Sequence, residues 1–179
     1  MSLTLTAEVL RRYPNAVFLE TGTHHGGAVA VALECGFERV VSIEIDPKYH
    51  AVAAKRFESD SRVELVLGDS ALVFREVIAS LNSPATIWLD AHRHDNSIDV
   101  RSPTALIQEL DVLAAYPAVA HSVLIDDVRV IRSGALWGGS IHGGLDSVLS
   151  KMLDINPNFQ FRFENNRIAR CDILVGLAR

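Results

Sequence analysis

Short apolar runs, rich in Val and Ile, alternate along the chain with longer stretches of helical periodicity. The short runs are typical of buried parallel strands and predict strands at Ala16–Glu20, Arg39–Ile45, Arg62–Leu67, Thr86–Asp90 and Ser122–Ile125. The stretches between and after them predict helices at Gly27–Cys35, Tyr49–Glu58, Ser70–Leu81, Pro103–Ala115 and Gly144–Leu153, with a helix-like piece, Thr6–Tyr13, before the first strand. This alternation predicts an α/β fold, with one doubly wound, mostly parallel sheet covered by helices on both faces.

The C-terminal region departs from this alternation. Two strand-like runs, Phe159–Glu164 and Ile168–Leu177, are separated by Asn165 and Asn166. Asparagine tolerates the positive φ that a tight hairpin turn needs. The pattern therefore predicts an antiparallel hairpin at the edge of the sheet.

The bulk properties of the chain restrict its class. Its 179 residues, 49% of them hydrophobic, suffice for one full core and predict a single domain over residues 1–179. The net charge of −5 disfavours a nucleic-acid partner, which requires a basic surface. No signal-peptide pattern and no apolar run of about 20 residues is present. Cys35 and Cys171 lack zinc-ligand spacing and predict buried, reduced thiols, so we expect a cytoplasmic protein without a membrane partner.

A glycine-containing turn follows the first predicted strand. The segment from Glu20 to Gly27 reads ETGTHHGG and leads into a helix. Glycines such as Gly22 and Gly26 let the backbone approach a ligand, and the following helix presents free N–H groups to it. Such a turn can also serve strand–helix packing alone.

Carboxylates end the next two predicted strands. Glu44 lies at the tip of the second strand, where it can accept both hydroxyls of an adenosine ribose, whereas Asp46 before Pro47 is better placed as a helix cap. Asp69 and Ser70 end the third strand. Asp69 can accept a hydrogen bond from an adenine amino group while Ser70 caps the next helix; the alternative is that the pair is only an N-cap.

These segments, Leu19–Leu33, Val41–Pro47 and Leu67–Ser70, resemble class I S-adenosylmethionine-dependent methyltransferases. The resemblance is nearest to the metal-dependent catechol O-methyltransferase-like group and its sugar O-methyltransferase relatives. It implies a Rossmann-like fold and S-adenosylmethionine as cofactor. The residues that it implies as cofactor ligands are Glu20, Gly22 and Thr23 along the methionine part, Glu44 at the ribose, and Asp69 with Ser70 at the adenine.

Three further acids end the fourth and fifth predicted strands, namely Asp90, Asp126 and Asp127. Since these strand tips meet beside the cofactor crevice, the three side chains could hold one divalent cation such as Mg²⁺. In the resembling group, acids at these positions bind magnesium, which lowers the pKa of the acceptor hydroxyl. Alternatively, Asp90 lies over the charged centre of the cofactor without metal, and Asp126 and Asp127 are caps.

The chain departs from the family pattern at Arg93, where a lysine base is expected. An arginine does not deprotonate at working pH. His92 is then the first candidate for the base, with His94 and His142 behind it. Asp90, His92 and Arg93 are the candidate catalytic residues. A second interpretation of the arginine at position 93 is that the protein has lost catalytic turnover.

The segment before the first strand is short, so the acceptor pocket must come from 93–102, from the Gly-rich loop 128–144 with Trp137, or from a partner subunit. A homo-oligomer is therefore expected. The sequence favours an O-methyltransferase acting on a small hydroxylated acceptor. The alternatives are an NAD(P)-dependent oxidoreductase, which shares the turn and the Glu44-type acid, and a non-catalytic cofactor-binding module.

Overall fold

The computed structural model describes residues 4–91, 104–116, 120–133, 135–136 and 139–178. A seven-stranded sheet forms its centre. Its strands are β1 (Val17–Thr21), β2 (Arg39–Glu44), β3 (Val63–Leu67), β4 (Ala85–Leu89), β5 (Ser122–Ile125), β8 (Gln160–Glu164) and β9 (Ile173–Leu177); β6 (Ala135–Leu136) and β7 (Gly139–Ser140) form a separate short pair.

The order of the strands in the large sheet is β3-β2-β1-β4-β5-β9-β8. The first five strands are parallel, β9 is antiparallel to β5, and β8 is antiparallel to β9. The predicted α/β fold with an antiparallel C-terminal pair is therefore confirmed. The dinucleotide-binding arrangement, by contrast, continues in parallel to a sixth strand.

Helices cover both faces of this sheet. They are α1 (Ala7–Leu10), α2 (Gly27–Cys35), α3 (Pro47–Phe57), α4 (Ser70–Ala79), α5 (Ala105–Ala114), α6 (Val128–Ile131) and α7 (Gly144–Ile155). Helix α3 begins at Pro47, before the predicted start at Tyr49. The predicted cap is confirmed, because Asp46 accepts a hydrogen bond from the N–H of Lys48 and Pro47 occupies the first turn. Helix α6 was not predicted, and α1 is shorter than Thr6–Tyr13.

Alternate residues of each strand enter two different apolar cores. Leu19 and Ile87 belong to the core beneath α4, α5 and α7, whereas Phe18 and Trp88 belong to the core beneath α1 and α2. The alternation continues to the carboxyl ends of the strands.

The tight turn predicted at Asn165 and Asn166 is wrong. Strand β9 begins only at Ile173, and neither asparagine has a positive φ. Instead of forming a tight turn, the two asparagines accept hydrogen bonds from the loop backbone. Asn165 Oδ1 accepts from the N–H of Cys171, and Asn166 Oδ1 accepts from the N–H groups of Ile168 and Ala169. These bonds offer the backbone an alternative to the ladder, so a longer loop forms.

The prediction of two buried thiols is also wrong. Cys35 is half-buried, but Cys171 is exposed, with φ 53° in the loop between β8 and β9. The later start of β9 leaves Cys171 outside the strand. None of the helices in the described part of the chain has the length and hydropathy that crossing a bilayer requires.

Candidate active site

The carboxyl ends of β1, β2, β4 and β5 meet along one edge of the sheet. Glu20 on β1 is in register with Ser42 on β2 and with Trp88 on β4. Because side chains alternate, Glu20 and Ser42 lie on the α2 face together with Trp88. The next residue, Thr21, lies on the opposite face, towards α4 and α5. The sheet edge therefore carries polar groups on both faces.

The turn after β1 is held against both neighbouring strands. The N–H groups of Gly22 and Thr23 donate to the carbonyl oxygen of Ile43, at 2.9 and 3.2 Å. Gly22 has φ +91°, and a Cβ there would lie 2.8 Å from the carbonyl oxygen of Asp90. Only glycine fits this close approach between the turn and the end of β4.

Two other predicted turn residues have packing partners. The Thr23 hydroxyl forms a 2.5 Å hydrogen bond with the Ser42 hydroxyl. Gly26 has φ +72°, and a Cβ there would lie 2.4 Å from a ring carbon of Phe57. Gly26 therefore has a structural reason to be glycine that is independent of any ligand.

Glu44 is buried at the tip of β2, and two backbone groups hold its carboxylate. The His24 N–H donates to Oε2 at 2.7 Å, and the Asp46 N–H donates to Oε1 at 2.8 Å. A carboxylate has about four acceptor positions, so both oxygens retain capacity for further donors. Glu44 is therefore a pre-oriented acceptor next to the turn at Gly22.

Glu20 is the second buried acid beside this turn. It is 2% exposed, and its Oε2 has no hydrogen-bond partner within the described residues. Burial raises the pKa of Glu20 to about 8; a hydrogen bond with Ser42 opposes this rise and the charge of Glu44 adds to it. A nearby cation would favour the charged form.

Asp69 and Ser70 lie at the start of α4. Asp69 is half-buried and its Oδ1 accepts from the N–H of Ala71, so it caps α4. An N-cap at this pair is therefore confirmed, and Asp69 rather than Ser70 provides it. Ser70 is buried at the first position of the helix.

Asp90 follows β4 and is half-buried. Burial raises its pKa well above the usual range, and the charges of Asp126, Asp127 and Glu20 add to this effect, while a hydrogen bond with Trp88 opposes it. The negative charges of these neighbouring carboxylates therefore disfavour ionisation of Asp90.

Asp126 and Asp127 follow β5 and are both buried. Asp126 accepts from the Thr4 hydroxyl at 2.5 Å and from the Asn166 amide at 2.9 Å. Burial is the main cause of a raised pKa at Asp126. Asp127, with φ 59°, precedes α6 and pairs with Arg129 at 2.7 Å, but its side chain does not cap that helix.

A carboxylate that the sequence analysis missed completes this group. Oxygens of Asp126, Asp127 and Asp172 all lie within 4.8 Å of one another. The structure thus groups two of the three predicted metal ligands with Asp172, and Asp90 is not part of this set. Arg129 pairs with Asp172 as well as with Asp127, and Asn166 donates to Asp172 at 2.7 Å.

Glu109 on α5 is a second missed acid. It is 1% exposed, and burial raises its pKa to about 7, with the hydroxyls of Ser70 and Thr21 opposing the rise and the charge of Asp69 adding to it. It lines one pocket with Asp90, Asp126 and Asp127. Spacing could have revealed it, because Leu106, Leu110 and Leu113 place Glu109 on the apolar side of the helix.

The predicted catalytic residues His92 and Arg93 lie outside the described residues, as do His94 and Trp137. His142 is described and is exposed just before α7. Among the three candidate catalytic residues, only Asp90 therefore has a described position.

Solved structures with the same fold include several methyltransferases. An SAH-bound methyltransferase from Podospora anserina has a TM-score of 0.64 and 15% identity, over 97% of this chain and 76% of that one. An O-methyltransferase from Bacillus cereus in complex with SAH has a TM-score of 0.62 and 15% identity, over 96% and 78%. An rRNA methylase from Streptococcus thermophilus has a TM-score of 0.53 and 14% identity, over 97% and 93%. No protein-family model and no curated protein matches the sequence.

Proposed function

We propose that this protein is an S-adenosylmethionine-dependent methyltransferase that methylates an oxygen of a small hydroxylated acceptor. The observation that carries the proposal is the geometry of Glu44, whose carboxylate is oriented by two backbone N–H groups beside the Gly22 turn. The fold supports it, since two methyltransferases with bound SAH have a similar fold, at TM-scores of 0.64 and 0.62. An rRNA methylase also shares the fold, so the small acceptor rests on the net charge of −5.

Different residues at the sheet edge would bind different parts of the cofactor. Glu44 would accept the two ribose hydroxyls, and Asp69 with Ser70 would border the adenine. Gly22 would let the backbone approach the methionine part. Glu20, which is buried, and Asp90, which is half-buried, both have raised pKa values and would face the positively charged end of the cofactor.

When bound, S-adenosylmethionine supplies an electrophilic methyl group on a positively charged sulfur. The chain's own contribution is alignment of the acceptor with that methyl group, together with electrostatic stabilisation. The acceptor hydroxyl must lose a proton, and we propose His92 as its base, because Arg93 cannot take this role.

An NAD(P)-dependent oxidoreductase is the competing proposal from the sequence. It shares the turn and the acid at the tip of β2. The antiparallel pairing of β9 with β5 argues against it, since dinucleotide-binding sheets usually remain parallel there. Binding of SAH, which needs no acceptor, separates the two proposals.

We also propose that a divalent metal ion assists the reaction. Asp126 and Asp127, with Asp172 or Asp90, offer the carboxylate oxygens that Mg²⁺ and Ca²⁺ prefer, so the donor set fits a hard divalent cation. Such an ion would lower the pKa of an acceptor hydroxyl. It would compete with Arg129, which already pairs with Asp127 and Asp172.

We expect saturating Mg²⁺ or Ca²⁺ to raise the melting temperature of the wild type by about 5 °C, because an ion that binds only the folded state stabilises it by mass action. Asp127→Asn should blunt this response and leave SAH binding intact. Asp111→Asn, which changes an exposed acid on α5, should respond like the wild type. Differential scanning calorimetry measures all three. A wild-type melting curve that neither ion and no chelator changes would contradict the metal proposal.

A further inference from the structure

Glu109 is a buried acid that the proposed cofactor site does not use. It is 1% exposed. The hydroxyls of Ser70 and Thr21 lie close enough to lower its pKa, but neither of its carboxylate oxygens has a hydrogen bond of normal geometry within the described residues. The nearby Thr21 hydroxyl also lacks one. A buried polar group without a partner is costly, so proteins retain such groups mainly where a ligand satisfies them.

The pocket that Glu109 lines is small and acidic. Asp90, Asp126 and Asp127 line it too, and the other described lining residues are apolar, such as Leu106 and Ile125. None of these described lining residues is cationic; Arg129 pairs with Asp127 but is not among them. The open space is about 10 Å³, which is room for one water-sized group. Charge and size together favour a single cationic group.

Geometry separates the two kinds of cation that could enter. A divalent metal needs several oxygen ligands at about 2.0–2.6 Å. Among the described residues, Glu109 belongs to no group of three acids whose ligand oxygens lie within 4.8 Å of one another. An ammonium group needs fewer partners and donates hydrogen bonds of about 2.7–2.9 Å.

We propose that Glu109 binds a protonated amine of the methyl acceptor, in the pocket that it shares with Asp90. This inference rests on the proposed methyltransferase function and narrows its substrate class to small molecules that carry both a hydroxyl group and a basic nitrogen. The ammonium group enters the pocket, and the rest of the acceptor stays at its mouth beside the strand tips.

A matched pair of probes tests this inference. Benzylamine and benzyl alcohol have nearly the same size, but only the amine is charged near pH 8, a pH that also lies above the pKa of about 7 for Glu109. Their affinities are measured by NMR titration of the wild type, with and without SAH. We expect benzylamine to bind about tenfold more tightly, as one charged hydrogen bond provides.

The variant Glu109→Gln keeps the size of the side chain and removes its charge. It should abolish the preference for benzylamine and leave SAH affinity unchanged. The control Asp111→Asn, on an exposed position of the same helix, should keep the preference. Unchanged SAH affinity also shows that the variant is folded.

Several results would overturn the inference. These are equal binding of the two probes, binding of neither, a preference that survives in Glu109→Gln, or a loss of SAH affinity in that variant, which would make Glu109 a cofactor residue. Failure of the wild type to bind SAH would instead reject the proposed function. The titrations without SAH keep the two failures distinguishable.

Discussion

Gly22→Ala is expected to lower the free energy of unfolding by about 2–5 kcal/mol. The positive φ of +91° costs an alanine about 1–2 kcal/mol, and the new Cβ would lie 2.8 Å from the backbone oxygen of Asp90. Because this contact is with backbone, relief requires the turn and the end of β4 to separate. The same movement should weaken SAH binding, which calorimetry measures alongside urea unfolding.

Gly36→Ala is the matched control for this variant. Gly36 has nearly the same φ, +88°, but nothing lies within 4 Å of a Cβ built there. Only the conformational cost of about 1–2 kcal/mol should appear, with unchanged SAH affinity. Equal losses in the two variants would mean that the contact between the turn and Asp90 is unimportant.

Glu44→Ala should weaken SAH binding by about 2–6 kcal/mol. Two ribose hydroxyls would each lose an acceptor, at about 1–3 kcal/mol apiece. The N–H groups of His24 and Asp46 would lose theirs as well, so the melting temperature must be measured in parallel. Glu44→Gln, which keeps one carbonyl acceptor, should lose less affinity.

Glu64→Ala is the control for the loss of a negative charge. Glu64 lies on β3 and forms an exposed ion pair with Arg39. Exposed pairs contribute little, so we expect SAH affinity within about twofold of the wild type. An affinity in Glu44→Ala that matches this control would remove Glu44 from the proposed site.

Local signals explain where the sequence predicted the fold well. Helix α2 has the predicted bounds Gly27–Cys35, because Gly36 takes the left-handed conformation that ends a helix. Strand β5 also has its predicted bounds, Ser122–Ile125. For α2 a neighbouring residue determines the end of the element, so a single sequence is sufficient.

Interactions between distant segments explain what the sequence could not predict. Asp172 is buried because Arg129 and Asn166 donate to it, and no spacing around Asp172 indicates these partners. The predicted hairpin turn was wrong for a local reason, because the side chains of Asn165 and Asn166 bond to the backbone of the longer loop before β9. Thr4 reaches Asp126 across 122 positions of the chain. The ends of the strands therefore indicated Asp126 and Asp127 as metal ligands, but not the residues that contact them in the fold.

Glu109 could be predicted from the sequence only in part. Its spacing on the apolar side of α5 is visible in the sequence, but an acid on a helix is usually solvated. Only the packing of α5 against the sheet reveals that its carboxylate is buried and has no hydrogen bond of normal geometry within the described residues. Similarly, the sequence predicted Glu44 as the acceptor for ribose hydroxyls, and the structure added the two N–H groups that orient its carboxylate.

Calorimetric titration of the wild-type protein with SAH and with NAD tests the central claim most directly, because neither ligand requires knowledge of the acceptor. We predict that SAH binds to one site per chain and that NAD gives no heat of binding under the same conditions. Binding of NAD, or the absence of SAH binding by a protein that still shows a cooperative melting transition, would contradict the assignment as an S-adenosylmethionine-dependent methyltransferase.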